Sequence, residues 1–292
     1  MAPTNDRKWS SGTAAVAAPP AQGPRGVPRT GTAPGAYRGG GLAQRFGQTE
    51  RTDAWWFIPL LQALGLLALI GYANWAAFLG QAHYHYVENG RDYLSPFFSP
   101  YFRPAWLPNW LSPALLVLWA PLGFRGTCYY YRKAYYRSFF ADPIACAVGE
   151  GRKGYCGEVK FPFVLQNLHR YFLYAALVFL IFLWSDVVRA FLFAGRPGIA
   201  GGSLAILAST GTLTLYTFSC HSLRHIVGGN IDCFSCVKGG NPRYRAWSWL
   251  TGFNEHHMGW AWASLFAVCF ADFYVRMCSM GLIHDPMFLG RP

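Results

Sequence analysis

Between Asp53 and Glu88 the chain carries no Asp, Glu, Lys or Arg. That is longer than the ~20 apolar residues needed to cross a bilayer, where a helix is the segment that satisfies its own backbone N–H and C=O groups. A first membrane span is predicted over about 54–80, with Trp55, Trp56 and Trp75 near its ends at headgroup depth. This one stretch commits the ordered part of the chain to helical membrane architecture.

The composition agrees. Only 13% of residues are charged and 53% are hydrophobic, whereas globular chains are charged at about a quarter of positions. The formal charge of +12 does not call for nucleic acid, because no Lys/Arg run is interleaved with a soluble fold. It fits cytoplasmic loops that obey the positive-inside bias and face anionic lipid.

Residues 1–45 are rich in Ala, Pro, Gly and Thr and nearly lack large aliphatic side chains. They cannot bury enough surface to offset their ordering entropy and are read as a disordered cytoplasmic tail. The remainder, 46–292, reads as an all-α membrane protein, a bundle of five transmembrane helices. After 54–80 the expected spans are 111–131, 166–193, 203–226 and 256–283. Four prolines between Gln81 and Leu111 exclude a regular helix there, so that loop should form an ordered cap. Two charge pairs, Asp186 with Arg189 and Asp272 with Arg276, are expected as buried partners, since an unpaired charge in lipid is costly.

Orientation follows from counting. With five spans, nineteen Lys and Arg fall on the side of the N-terminus and four on the other. The N-terminus is therefore cytoplasmic and the C-terminus outside. That topology gathers thiols and imidazoles at one end of the molecule: Cys128, Cys146, His169, Cys220, His221, His225, Cys233, Cys236, His256 and His257 all lie near the cytoplasmic ends of spans two to five. His221 and His225 are four apart and share a helix face, and Cys233 and Cys236 form a Cys-x-x-Cys. Polar residues at membrane depth are functional by default, and these types ligate metals. Three cofactors remain open on the residues alone. A bis-His haem b could use His169 with His221, His225 or His257. A Rieske-type [2Fe–2S] cluster needs two Cys and two His. Structural zinc could take His221, His225, Cys233 and Cys236. The competing reading is helix packing and interhelical hydrogen bonding.

Several stretches resemble a known family. Cys-Tyr-Tyr-Tyr-Arg-Lys-Ala-Tyr-Tyr-Arg at 128–137, Ala-Cys-Ala-Val at 145–148, Gln-Asn-Leu-His-Arg-Tyr at 166–171, Ser-Cys-His-Ser-Leu-Arg-His at 219–225 and Asp-Phe-Tyr-Val-Arg at 272–276 are similar to the membrane-anchor subunit of actinobacterial-type succinate dehydrogenase, a respiratory complex II. The likeness covers about 50–290. It implies a five-helix anchor in the bacterial inner membrane that carries a flavoprotein and an iron–sulfur subunit on its cytoplasmic face. It also implies a Rieske-type [2Fe–2S] cluster and electron transfer to menaquinone or ubiquinone. The cluster ligands are then expected among Cys128, Cys146, Cys220, His169, His221 and His225, with Cys233, Cys236 and His257 in reserve. Tyr129, Tyr130, Arg132 and Lys133 would form the docking floor for the iron–sulfur subunit. His83, His85 and Trp75 are candidates for quinone. No flavin or nucleotide motif is present in the sequence, so alone the chain should oxidise no succinate.

Overall fold

The computed structural model describes residues 45–141, 144–150, 159, 161, 163–229 and 231–290. The expected tail over 1–45 lies outside the described residues except for Arg45, and so does Cys156. The described part is mostly helical. Helix α1 spans Phe57–Asn74 and continues through a π-helical turn to Leu79. It is followed by α2 (Leu115–Gly126), α3 (Tyr129–Tyr135), α4 (His169–Ala190), α5 (Gly201–Phe218), α6 (His221–Gly228), α7 (Gly240–Glu255) and α8 (His257–Ser279).

Among the described residues three helices are long and apolar enough to cross a membrane: Phe57–Leu79, Phe163–Ala190 and His257–Ser279. The pair α5 and α6, bent by 54° at its break, makes a fourth if counted as one span. The expected second span, 111–131, is not one continuous helix. Its α2 has 12 residues, ~18 Å at 1.5 Å per residue. The chain then breaks at Thr127–Cys128 before α3 begins. Pro121 sits inside α2.

The centre of the bundle is α5 against α8. The buried side of α5 is made of Gly202, Ser203, Ala205, Ser209, Thr210 and Thr217, and that of α8 of Ala261, Ser264, Ala271, Asp272 and Val275. Small residues let the two backbones approach closely, as membrane helices without a hydrophobic driving force require. Gly123 does the same between α2 and α4, because a Cβ there would lie 2.1 Å from the Phe172 ring. Helix α1 buries only Pro59 and Leu66 and leaves Leu61, Leu64, Leu67 and Ile70 exposed, which is a lipid-facing surface.

The proline-bearing loop is ordered, as expected, but contains strands. Strand β1 (His85–Glu88) pairs antiparallel with β2 (Arg91–Leu94). The short β3 (Leu192–Phe193) and β4 (Arg196–Pro197) turn the chain after α4, and β5 (Ile199–Ala200) pairs with β6 (Met287–Leu289). Two buried carboxylates hold this end. Asp272 accepts from Arg276 Nε at 2.8 Å, from Tyr72 Oη at 2.6 Å and from Ser95 Oγ. Arg276 spends its remaining donors on the carbonyls of Ala76, Gly80 and Ala82. Asp285 accepts from Arg91 Nη1 (3.0 Å), Tyr93 Oη (2.9 Å), Tyr274 Oη (2.8 Å) and the Gly202 amide (2.8 Å). Burial and the Asp285 carboxylate hold the Tyr93 hydroxyl well above its ordinary pKa, so it stays a donor throughout the physiological range. The Asp272–Arg276 pair is thus found as expected. Asp186 and Arg189 are not paired: Ser99 Oγ reaches Asp186 across from the loop instead.

Candidate functional site

At the opposite end of the bundle two helix breaks meet. Thr127–Cys128 separates α2 from α3, and Ser219–Cys220 separates α5 from α6. Both cysteines have extended backbones, with φ and ψ of −64° and 130° at Cys128 and −66° and 132° at Cys220. Each break therefore presents a hydroxyl and a thiol side by side, and both thiols are buried.

Each thiol faces an imidazole from another helix. Cys128 Sγ lies 3.3 Å from His257 Nε2, at the start of α8, and Cys220 Sγ lies 3.1 Å from His169 Nε2, at the start of α4. The hydroxyls are crossed over: Thr127 Oγ1 is 2.9 Å from His169 Nδ1, and Ser219 Oγ is 2.7 Å from His257 Nδ1. Each hydroxyl has a single proton. Thr127 donates its own to Gly123 O (2.6 Å) and Ser219 its own to Tyr216 O (2.8 Å). Both must then accept from Nδ1–H, which leaves each Nε2 to accept the S–H of its cysteine. The rings are clamped from the side as well. His169 stacks on Phe124 at 4.9 Å and 5°, and His257 stacks on Tyr216 at 5.0 Å and 19°.

Arg125 closes the site on the bundle side. It donates to Tyr131 Oη (2.6 Å) and Ser264 Oγ (3.0 Å), and its guanidinium sits 4.9 Å over the Tyr216 ring. The Tyr216 hydroxyl is fully buried and makes no hydrogen bond.

This arrangement suits a binuclear centre. Among the described residues no three His, Cys, Asp or Glu side chains converge to hold one ion. The donors come instead as two pairs, and a [2Fe–2S] cluster needs two donors per iron. The set has two thiols, two imidazoles and no carboxylate. Holding Nδ1 through an outer hydrogen bond is what fixes the tautomer of metal-ligating histidines, and an inserted sulfide would give the orphaned Tyr216 hydroxyl an acceptor. The hydrogen-bonded pairs are mixed, Cys with His, whereas a Rieske-type assignment puts both thiols on one iron and both imidazoles on the other.

The other sequence candidates lie elsewhere. His221 and His225, on α6, are exposed, with ring centroids 6.3 Å apart, and His225 Nδ1 is 3.3 Å from Arg170 Nη2. Cys146 is exposed in a loop whose carbonyl accepts from Arg51. Cys233 and Cys236 are bonded to each other. His83 and His85 sit at the carboxylate end, where His85 Nε2 is 2.6 Å from Asp92 and shares a pocket with Asp186 and Arg189. On α4 that places His85 near the end ~30 Å from His169, at 1.5 Å per residue. Trp75 is half exposed, with the Arg276 guanidinium over its ring. Of the docking candidates, Tyr129 and Lys133 are exposed. Tyr130 turns inward to accept from Trp262 Nε1 (2.8 Å), and Arg132 is buried with its guanidinium 4.5 Å over the Tyr129 ring.

An apolar cavity of about 250 Å³ opens beneath the paired donors. Arg125, Gly126, Tyr131 and Tyr135 line one end and Asn74, Pro96 and Ser99 the other.

Residues 57–281 match the family model described as actinobacterial succinate dehydrogenase subunit SdhC. The chain belongs to this family. Among solved structures it is similar to a chain of the Mycobacterium smegmatis Sdh1 complex in the apo form, with 39% identity and a TM-score of 0.74. The match covers 85% of this chain and 97% of that one. No curated protein gives a significant match. The subunit is accordingly an integral membrane protein of the succinate dehydrogenase family. The structure adds Thr127, Ser219, Arg125 and Tyr216 to the cluster and brings His257, a reserve candidate from the sequence, against Cys128. The repeated hydroxyl–Cys dipeptide, Thr-Cys and Ser-Cys, was the available signal.

Proposed function

We propose that this subunit is the five-span anchor of a succinate:quinone oxidoreductase, relaying electrons from its soluble iron–sulfur subunit to a membrane quinone through a Rieske-type [2Fe–2S] cluster held by Cys128, Cys220, His169 and His257. The observation that carries this reading is the crossed set of two thiol–imidazole contacts with both Nδ1 atoms committed to hydroxyls. The assembled nature of the M. smegmatis neighbour supports flavoprotein and iron–sulfur partners for this chain. The nineteen-to-four charge count supports a cytoplasmic N-terminus and docking on the cytoplasmic face, with Tyr129 and Lys133 exposed there.

When bound, such a cluster takes up and passes on single electrons. The chain's own residues determine the setting. Thr127 and Ser219 fix the imidazole tautomers, and Phe124 and Tyr216 hold the ring planes and exclude water. Arg125 supplies a half-buried positive charge that favours a reduced, more negative centre. Tyr216 offers a hydroxyl to sulfur, and hydrogen bonds to sulfur tune potential. The apolar cavity that begins at Arg125 and Tyr131 suits an isoprenoid quinone better than the distant His83 and His85.

The test is iron and acid-labile sulfide analysis with electron paramagnetic resonance of the reduced complex. Wild type should carry two iron and two sulfide in the anchor and give a Rieske-type signal. Cys128→Ser or His257→Ala should abolish that signal while succinate oxidation with artificial acceptors persists. His221→Ala with His225→Ala should leave it in place. Loss of the signal in that last variant, or a haem spectrum in wild type, would remove the proposed ligand set.

A further inference from the structure

The Cys-x-x-Cys is left unused by the proposed centre. Cys233 and Cys236 form a disulfide around the single 3-10 turn Phe234–Cys236. Cross-linking stabilises by removing chain entropy, and a loop this short removes little. The bridge ties no distant elements together, and Cys128, Cys146, Cys220, Cys269 and Cys278 are free. A stabilising role therefore explains it poorly. Its two sulfurs are unequal: Cys236 is exposed and Cys233 is half buried, with Ser235 Oγ 3.4 Å from its sulfur. This spacing and asymmetry suit thiol–disulfide exchange.

The turn also sits on a contact chain toward helix α6. Phe234, held between the two cysteines, packs on Tyr244 at 5.5 Å and Trp247 at 6.3 Å. Trp247 lies against Gly228 so closely that a Cβ there would come 2.1 Å from its ring, and it carries the Arg224 guanidinium at 5.2 Å. From the same helix as Trp247, Arg243 donates to the carbonyls of Val227 and Gly229 at the end of α6. Asn254 donates to Ser219 O at 2.7 Å at its beginning. Helix α6 buries no residue fully: Leu223 and Ile226 pack one side of it on the bundle core, and α7 with the Phe234 turn covers its other side.

We propose that Cys233–Cys236 is a reversible thiol–disulfide site, opened by a dithiol reductant, whose closed state seats Phe234 on Trp247 and so holds α6 against α7. One thiolate of the reductant attacks Cys236 Sγ, the S–S bond breaks, and the electron pair leaves on Cys233 sulfur, which takes a proton from solvent beside Ser235. The second thiolate of the reductant attacks its own sulfur in the mixed disulfide, releases Cys236 as a thiol after protonation, and departs as a cyclic disulfide. Two electrons and two protons are transferred to the protein in all.

The test uses the full chain in lipid nanodiscs with dithiothreitol as the reductant. Maleimide trapping followed by peptide mass analysis counts thiols, and hydrogen–deuterium exchange reads α6. Protein trapped without reductant should show Cys233 and Cys236 unlabelled, and reduction should expose both together. Amide exchange over 221–228 should then accelerate about tenfold, as for a segment released to local opening. Cys233→Ser with Cys236→Ser should exchange as fast as reduced wild type and ignore dithiothreitol. Phe234→Ala should exchange fast with the bridge intact, separating the seat from the bond. Three outcomes would overturn the proposal: both thiols free before reduction, stoichiometric zinc on the pair, or exchange over 221–228 that is identical in the two states. None of these readouts involves iron, so the inference stands apart from the function proposed above.

Discussion

The two ends of this bundle both bury polar groups, and they do so in opposite ways. At the carboxylate end every strong group is used. Asp272 and Asp285 each collect three or four donors, and Arg276 is bonded at all three nitrogens. At the thiol end there is no carboxylate; each thiol and its Nε2 are bonded to each other rather than to an ion pair, and the Tyr216 hydroxyl has no partner. A buried network that is satisfied fixes a fold. One whose thiols and imidazoles are bonded only to each other, with the rings held by outer hydrogen bonds, is the one to which the proposed function assigns a cofactor.

The sharpest way to break this contrast is to exchange the consequences of mutation. Cys128→Ser with Cys220→Ser should remove all acid-labile sulfide from the anchor while its thermal unfolding midpoint in detergent-free discs changes little. Arg276→Met should do the reverse. It leaves Asp272 charged and unpaired in a buried site, at a cost of about 3–5 kcal/mol, read as a lowered unfolding midpoint and a reduced yield of folded subunit. Smaller effects sharpen the comparison. Thr127→Val and Ser219→Ala keep the ligands but release Nδ1, and outer-shell losses of this kind typically weaken metal sites 10–100-fold. Chelator competition should show that loss, with altered resonance of the remaining cluster. Smaller still is Tyr93→Phe, which deletes one of four donors to Asp285, a neutral hydrogen bond to a charged group worth about 1.5–3 kcal/mol. Unfolding should register it and iron content should not. His85→Ala should alter neither iron content nor the unfolding midpoint by more than about 0.5 kcal/mol, because its ring lies in a half-exposed pair with Asp92.

Much of this was legible in the sequence, and the rest failed for a geometric reason. The uncharged run after Asp53, the spans near 166–193 and 256–283, the Asp272–Arg276 pair and the gathering of thiols and imidazoles at one end follow from hydrophobic length and charge placement. Cys128, His169 and Cys220 were singled out correctly as neighbours. The pair His221 and His225 was favoured because residues four apart share a helix face. They do share one, but it is an exposed face. The extended backbone at Cys220 ends α5, and α6 leaves at 54°, so His221, next to the thiol in sequence, is exposed while the thiol is buried. The imidazole that meets Cys128 is His257, brought from the start of α8 by the packing of α8 on α5. The stretch 111–131 is interrupted for the same reason: hydropathy does not register that Thr127–Cys128 breaks a helix.

Composition and hydrophobic run length, which act locally and need no partner, determined that this chain lives in a membrane as helices, which end is basic, and which residue types meet there. Which thiol faces which imidazole was decided only by tertiary structure. Two helix breaks set the directions of the side chains, and close small-residue packing set the distances, and neither quantity exists until the helices have met.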